Sequence, residues 1–261
     1  MGVRVNLTKR LVATASVALF AISLSGFANA QASQLKNSAT AHPSPTATHK
    51  VGTRALPKTL SAPLTATAAQ TVEGCAKTNA TAHYPIKVGT PDPKVPQVDH
   101  IITLNTNCGP ITFTAFGKKA PVTVIAMTFL AKAGFFDHSL CHRVTTSQLY
   151  VLQCGDPTAS GSGGPMWSYD NENLPADAPN NYPAGTIAMA NSGTAANGRG
   201  TNGSQFFIVY KDTYLPPTYT IWGQVTSGLD IVKRVAAAGV VGGGTDGTPV
   251  QKIAIESVTV K

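Results

Sequence analysis

The sequence predicts an all-β domain with two helices, closed as a barrel, over residues 97–261 of a 261-residue chain. Three observations predict it. Eight short apolar or alternating runs are set apart by turns rich in Gly, Pro and Asn. Only two stretches carry apolar residues at helical spacing. The strand-like runs mostly follow one another directly, and this excludes a regularly alternating α/β fold.

The elements run in order. Ile102 and Leu104, then Ile111, Phe113 and Ala115, alternate on either side of the turn Asn107-Cys108-Gly109-Pro110, a hairpin signature. From Ala120 to Phe135 apolar residues recur at 122, 125, 126, 129, 130 and 133, with Gly134 as the stop, so a helix is expected. Strands are expected at Leu140–Val144, Tyr150–Gly155, Thr186–Ala190, Phe206–Tyr210 and Thr220–Val225. A second helix fits Gly228–Ala237, with Leu229, Val232 and Val235 on one side. The last strand, Gln251–Val260, alternates through Ile253 and Ile255. Phe206, Met189 and Trp222 read as core residues and His142 as a structural hydrogen-bonder.

Ahead of the domain the composition changes. Residues 1–70 hold seven Lys or Arg and no Asp or Glu; the other 191 hold thirteen against twelve. The formal net charge of +8 is therefore +7 in front and +1 behind. The domain itself is nearly neutral and has no basic stripe interleaved with aromatics, which argues against a nucleic-acid partner. Arg4, Lys9 and Arg10, an apolar run from Leu11 to Phe27, and Ala28-Asn29-Ala30 form the three parts of a secretory signal peptide over 1–30. The run falls short of a spanning helix, so no stable membrane insertion is expected after cleavage. Residues 31–70 lack Trp, Tyr and Phe and are rich in Ala, Thr, Ser and Pro. They cannot bury enough apolar surface to offset their ordering entropy and read as a disordered spacer. Residues 71–96 read as an extended arm, kept open by Pro85, Pro91, Pro93 and Pro96, with Cys75 and Tyr84 tacking it to the domain. The expected location is secreted or cell-surface.

Several chemistries fit poorly. The domain has three histidines and no Gly-x-Ser-x-Gly elbow, which disfavours a serine hydrolase. Gly161-Ser162-Gly163-Gly164 lacks the Lys-Ser/Thr of a phosphate loop. There is no Cys-x-x-Cys, and Cys141 and His142 would point to opposite faces of a strand, so no metal site is expected. Cys75, Cys108, Cys141 and Cys154 are an even set in an exported chain and suggest disulfides.

Two strings remain. One is Cys141-His142-Arg143 followed by Gln153-Cys154-Gly155-Asp156; the other is Ala188-Met189-Ala190-Asn191 followed by Asn202-Gly203-Ser204-Gln205-Phe206-Phe207-Ile208. Their order and approximate spacing resemble the cyclophilin-type peptidyl-prolyl cis-trans isomerases, over nearly the whole domain. The resemblance implies an eight-stranded antiparallel barrel capped by two helices, with a substrate groove on its outside. It implies proline-containing polypeptides as partners, and a monomer. It places the catalytic Arg at Arg143. Tyr150 and Val151 fall at proline-pocket positions, Gln153 at the Gln that holds substrate backbone, and Gly161 at the groove edge. Ala190, Asn191 and Ser192 fall on the strand end that pairs with substrate. Gln205 and Phe207 match the second Gln and the pocket floor. Tyr214 and Leu215 match the usual Trp-Leu, and Tyr219 stands where His is usual.

Against the family pattern, the segment between Arg143 and Gln153 is two residues longer. The loop from Asn191 to Gln205, which carries Arg199, is longer by about five. Four cysteines allow three pairings. Cys141 with Cys154 is expected, joining neighbouring strands, which leaves Cys75 with Cys108; a Cys108–Cys141 link is the pairing that would overturn this. The resemblance also brings in cyclosporin as a groove inhibitor. Weakened binding is expected, because Tyr214 stands where a Trp indole N–H donates to the drug. The rival readings are a proline-peptide binding module or chaperone with little turnover, and a wall-adhesive protein working through its basic tail.

Overall fold

The computed structural model describes residues 72–195 and 200–261. The signal peptide, the spacer, and Gly198 and Arg199 in the lengthened loop lie outside the described residues. Among the described residues there are ten strands and two helices: β1 (His100–Thr106), β2 (Gly109–Ala115), α1 (Pro121–Lys132), β3 (Ser139–Leu140), β4 (Arg143–Thr145), β5 (Val151–Cys154), β6 (Thr186–Met189), β7 (Phe206–Val209), β8 (Ile221–Ser227), α2 (Leu229–Ala237), β9 (Asp246–Gly247) and β10 (Ala254–Val260). All strand pairings are antiparallel, in the order β3-β10-β1-β2-β8-β6-β7-β5-β4-β9.

Eight strands become ten for local reasons. The expected strand Leu140–Val144 is two strands, because the chain crosses at Cys141 and His142 from a pairing with β10 to a pairing with β5. Asp246-Gly247 adds a two-residue strand against β4, too short and too polar for an apolar-pattern reading. The crossing sets the shape of the sheet. β3 lies at one end of the order and β4 next to the other, yet only two residues join them. At about 3.8 Å per residue the two ends are held within roughly 12 Å, so the sheet curls back on itself.

α2 packs by one apolar face, whereas α1 is buried over most of its circumference, Thr123 and Thr128 included, and Val122 of its expected face is exposed. Pro121 opens α1 at a position whose N–H needs no helical partner. The next two amides, Val122 and Thr123, donate to the Glu172 carboxylate, which also carries the favourable charge for a helix start. The helix stops as Gly134 predicts: φ is +72°, Gly134 N–H donates to Ala131 O, and Phe135 N–H reaches Leu130 O, the paired bonds of a Schellman ending. In α2 Ile231, Val232, Val235 and Ala236 are buried, while Asp230 and Arg234 form an ion pair on the outer face. Phe113 and Phe206 meet Trp222 edge-on at 5.2 and 6.0 Å, so Trp222, Phe206 and Met189 lie in the core.

The arm is anchored at Cys75 as expected, and not at Tyr84. Cys75 is bonded to Cys108 at the β1–β2 turn, and Ala76 N–H donates to Asn107 O at 2.7 Å. Tyr84 does not tack the arm down: it is 93% exposed. The restriction before Pro85 holds its backbone extended, and the ring points to solvent. The second disulfide joins Cys141, in the β3–β4 crossing, to Cys154 at the end of β5.

Candidate active site

Arg143 starts β4 and is registered against Gln153 on β5. Its guanidinium is held from two sides. Nε and Nη2 donate to the two carboxylate oxygens of Asp246 at 2.7 and 2.8 Å, and Nη1 donates to Gln153 Oε1 at 3.0 Å. Gln153 Nε2 donates to Gln205 Oε1 at 2.9 Å, and Gln205 Nε2 to Gly163 O at 2.9 Å. Each amide accepts through oxygen and donates through nitrogen, so donation runs outward from Arg143, to Asp246 on one side and through Gln153 and Gln205 to the Gly163 carbonyl on the other. The hydrogen bond to Asp246 raises the Arg143 pKa, and the same bond lowers that of Asp246. Three of the five guanidinium N–H groups are thus engaged among the described residues, leaving one on each Nη.

Beside it lies a cavity of about 170 Å³, lined by Arg143, Leu149, Val151, Gln153, Ala190, Asn191, Phe207, Leu215 and Tyr219. Phe207, Val151, Tyr182, Ala188 and Val209 form a buried apolar cluster beneath it. Tyr219 meets Phe207 edge-on at 5.7 Å. Tyr182 fixes that ring: its hydroxyl donates to Tyr219 O and accepts from Tyr219 N–H. Burial pushes the Tyr182 hydroxyl up to about 12, so it stays a donor at neutral pH. A pocket this small, with an apolar side made by Leu149, Val151, Phe207 and Leu215 and the guanidinium beside it, suits a five-membered saturated ring whose polar atoms stay on the polar side.

A second cavity, of about 470 Å³, adjoins the first and shares Gln153, Ala190 and Asn191 with it. Gly161, Ser192 and Gln205 line this one. Its edge, the loop 156–163, is wrapped around Asp156. That carboxylate accepts from Thr158 N–H, Thr158 Oγ1, Gly161 N–H and Gly163 N–H at 2.7–3.0 Å. Burial pushes its pKa upward, but the bonds from Thr158, Gly163 and Gly161 outweigh this and the net shift is downward. A Cβ on Gly163 would come within 2.0 Å of Asp156 Oδ1, so only glycine fits there. Asn191 is pinned by its amide, which donates to Asn171, Asn202 and Thr218 and turns the strand end along the groove.

Of the residues expected from sequence, Arg143, Val151, Gln153, Ala190, Asn191, Phe207, Leu215 and Tyr219 meet at the smaller cavity. Gly161, Ser192 and Gln205 meet at the larger. Two do not join them. Tyr150 points away: it packs edge-on to Tyr210 at 5.9 Å with Lys211 Nζ 4.3 Å from its ring centre. Side chains alternate along a strand, so Leu149, Val151 and Gln153 share the pocket face and Tyr150 takes the other. Tyr214 lies outside both cavities, 53% exposed, with its hydroxyl donating to Asp177 at 2.8 Å. His142 also departs from expectation. Neither ring nitrogen finds a hydrogen-bond partner among the described residues, and burial, partly opposed by Asp156, lowers its pKa, so it packs as a neutral ring. Leu149, Tyr182 and Asp246 were not legible as site residues. The period of two counted back from Gln153 would have found Leu149; nothing local marks Asp246, which lies 103 positions from Arg143.

Comparison with known proteins fits this geometry. A model of the cyclophilin type peptidyl-prolyl cis-trans isomerase/CLD family matches residues 101–260. A protein named "Probable peptidyl-prolyl cis-trans isomerase B" from Mycobacterium tuberculosis is 44% identical over 169 residues, covering 60% of this chain and 53% of that protein, so the chain spans about half its length. "Peptidyl-prolyl cis-trans isomerase A" from the same species is 36% identical over 179 residues, covering 60% of this chain and 90% of that protein. Among solved structures, a Cryptosporidium parvum cyclophilin type isomerase in the presence of the dipeptide Ala-Pro superposes with a TM-score of 0.51 at 23% identity, covering 62% of this chain and 98% of that one. The matched span carries the curled sheet, both helices and every residue of the guanidinium chain, and on it the chain belongs to the cyclophilin-type peptidyl-prolyl cis-trans isomerase family.

Proposed function

We propose that the chain is an exported peptidyl-prolyl cis-trans isomerase that acts on Xaa-Pro bonds and assists the folding of polypeptides outside the cytoplasm. One observation carries the reading: a guanidinium fixed by Asp246 and Gln153, with donors to spare, lining a ring-sized pocket whose other side is Leu149, Val151, Phe207 and Leu215. The dipeptide Ala-Pro accompanying the Cryptosporidium isomerase supports the choice of ligand. The two disulfides support an oxidising compartment. The two-residue crossing from β3 to β4 supports the closed eight-stranded barrel, with β3–β4 counted as one strand and β9 as an edge addition.

The chemistry follows from amide resonance. Rotation about an Xaa-Pro bond meets a barrier of roughly 18–20 kcal/mol because conjugation is lost midway. At that point the prolyl nitrogen recovers its lone pair and becomes an acceptor. With the ring held over Phe207 among Val151, Leu149 and Leu215, the free Nη donors of Arg143 reach that nitrogen. The bond strengthens only as the amide twists, so it lowers the barrier rather than deepening the ground state. Gln153 and the Asn191 strand end hold the flanking backbone, so one side of the bond turns against a fixed other side. No proton is transferred and no covalent intermediate forms. The deciding measurement is exchange between cis and trans forms of a short Xaa-Pro peptide by NMR. Micromolar protein is expected to broaden and merge the two sets of signals; binding without exchange would instead mark a binding module.

Asp246 is a positioning residue in this scheme. Asp246→Asn removes the charge and one arm of the paired contact, and turnover is expected to fall about tenfold, equivalent to roughly 1.4 kcal/mol. The wild-type profile should be flat at neutral pH. Because pairing lowers the Asp246 pKa, the anchored form persists below the usual carboxylate range and is lost as pH falls through that lowered value. The Asn variant should lack this acid limb; a retained limb would assign it to another group.

Cyclosporin is expected to bind weakly, by about ten- to a hundredfold relative to a groove that offers a fitted indole N–H. The Tyr214 hydroxyl is committed to Asp177, outside both cavities. Tyr214→Trp should recover part of the affinity in a calorimetric titration; tight binding by the unaltered chain would show that this position does not limit the drug.

A further inference from the structure

The two disulfides differ in what they reach. Cys75–Cys108 ties the arm to the β1–β2 turn, and neither cysteine lines a cavity of the site. Cys141–Cys154 brackets the site. Cys141 stands two positions before Arg143, and Cys154 follows Gln153 directly. The bond therefore lies just beyond the pair Arg143↔Gln153, where the β4–β5 ladder ends.

That end of the ladder is otherwise lightly held. β4 is three residues long and registers with β5 at two positions. Cys141 and His142 belong to no strand. Cys141 N–H donates to Ile253 O at 3.0 Å, and neither nitrogen of the His142 ring finds a partner among the described residues. The Asp246 carboxylate is exposed, so its contact orients the guanidinium in competition with water. Cys154, by contrast, is fully buried and paired with Phe206 on β7. The disulfide thus carries the rigidity of the β5–β7 pair to the backbone from which Arg143 starts. Opening it has a defined consequence. Two thiols must sit at van der Waals separation in a close-packed site, so one of them moves. Cys154 is held by a ladder and the crossing is not. Cys141 therefore gives, and Arg143 moves with it, while Val151, Phe207 and Leu215 lie off the crossing and keep the pocket.

We propose that the Cys141–Cys154 disulfide is a positioning element of catalysis, fixing the start of β4 so that the Arg143 guanidinium meets the twisted amide. This rests on the isomerase reading. The test uses the full chain carrying Cys75→Ala and Cys108→Ala, which keeps the one disulfide. A dithiol opens it: the S–S bond takes up two electrons and two protons to become two thiols, and the dithiol closes to a disulfide of its own. Thiol alkylation confirms the opening. Before reduction, NMR exchange of an Xaa-Pro peptide is expected to match that of the unaltered chain. On reduction it should fall about tenfold, the scale of a misplacement well under 1 Å, with peptide affinity nearly unchanged. Reoxidation should restore it. In an Arg143→Ala background reduction should add little, because the group being positioned is gone. The Arg143 Nε–H signal, sharp while bonded to Asp246, should broaden on reduction. An unchanged rate, an equal fractional loss in the Arg143→Ala background, or affinity falling in step with rate overturns the proposal. So does loss of the dispersed amide spectrum, which would make the bond a prop for the whole domain. If the oxidised chain speeds no exchange, the isomerase reading falls and the Nε–H signal alone decides: broadening on reduction supports the positioning, and a constant signal overturns it.

Discussion

Arg143→Ala is expected to lower proline turnover by about a hundred- to a thousandfold while weakening peptide affinity only a few-fold. The figure is that for deleting one preorganised donor aimed at charge that develops in the transition state. The split follows because the ring contacts with Phe207, Val151 and Leu215 remain, and these act on ground state and transition state alike. Arg143→Lys should rescue little. An ammonium cannot bind Asp246 through two parallel bonds while donating to Gln153, so its charge would stay but its direction would be lost. Exchange rates and titrations on the same peptide separate the two terms. Equal losses in rate and affinity would mean that Arg143 holds substrate rather than its twisted form.

The second large effect is structural. Asp156→Ala is expected to destabilise the domain by about 3 kcal/mol, because it leaves the amides of Thr158, Gly161 and Gly163 without their buried acceptor. That corresponds to a fall in Tm of about 6–12 °C for a domain of this size. The loop edge should loosen with it. Gln205 donates to Gly163 O, so the guanidinium chain loses its last link and turnover falls as well. The pH sign is fixed by the lowered pKa. The carboxylate contributes its full stability above about 3.9, the ordinary value, and loses it as pH falls through the folded value. Wild type and variant should therefore converge in acid. A gap in Tm that persists at low pH would assign the loss to packing instead.

What the sequence revealed and what it hid divide by range. The hairpin at Asn107-Gly109, the Gly134 stop and the apolar face of α2 are local signals, and each element lies within a few residues of expectation. Motif strings brought together residues on four strands, because Arg143, Gln153, Ala190 and Phe207 each sit in a recognisable run. The misses are register and long range. Tyr150 falls at a proline-pocket position by resemblance, whereas the alternation fixed by Gln153 puts Leu149 on the pocket face. Tyr214 stands at the family's usual Trp position, but its hydroxyl turns to Asp177 and only its neighbour Leu215 lines the pocket. Asp246 had no sequence signal: a Thr-Asp-Gly in a glycine-rich stretch reads as a turn until β9 is seen against β4.

The crossing at Cys141 and His142 also sets a schedule. A chain made from its N-terminus holds Arg143 about a hundred residues before Asp246 exists, and β10, which must fit between β1 and β3, comes last of all. Contacts of such long sequence separation form late and slowly. A nascent chain that ends short of Asp246 can hold Val151, Phe207 and Leu215, and with them a greasy hollow able to grip proline, but its guanidinium has no carboxylate to aim it. Catalysis reaches its full rate only once Asp246 has been made and β9 has paired with β4, so the growing chain passes through a stage of holding prolines better than it turns them.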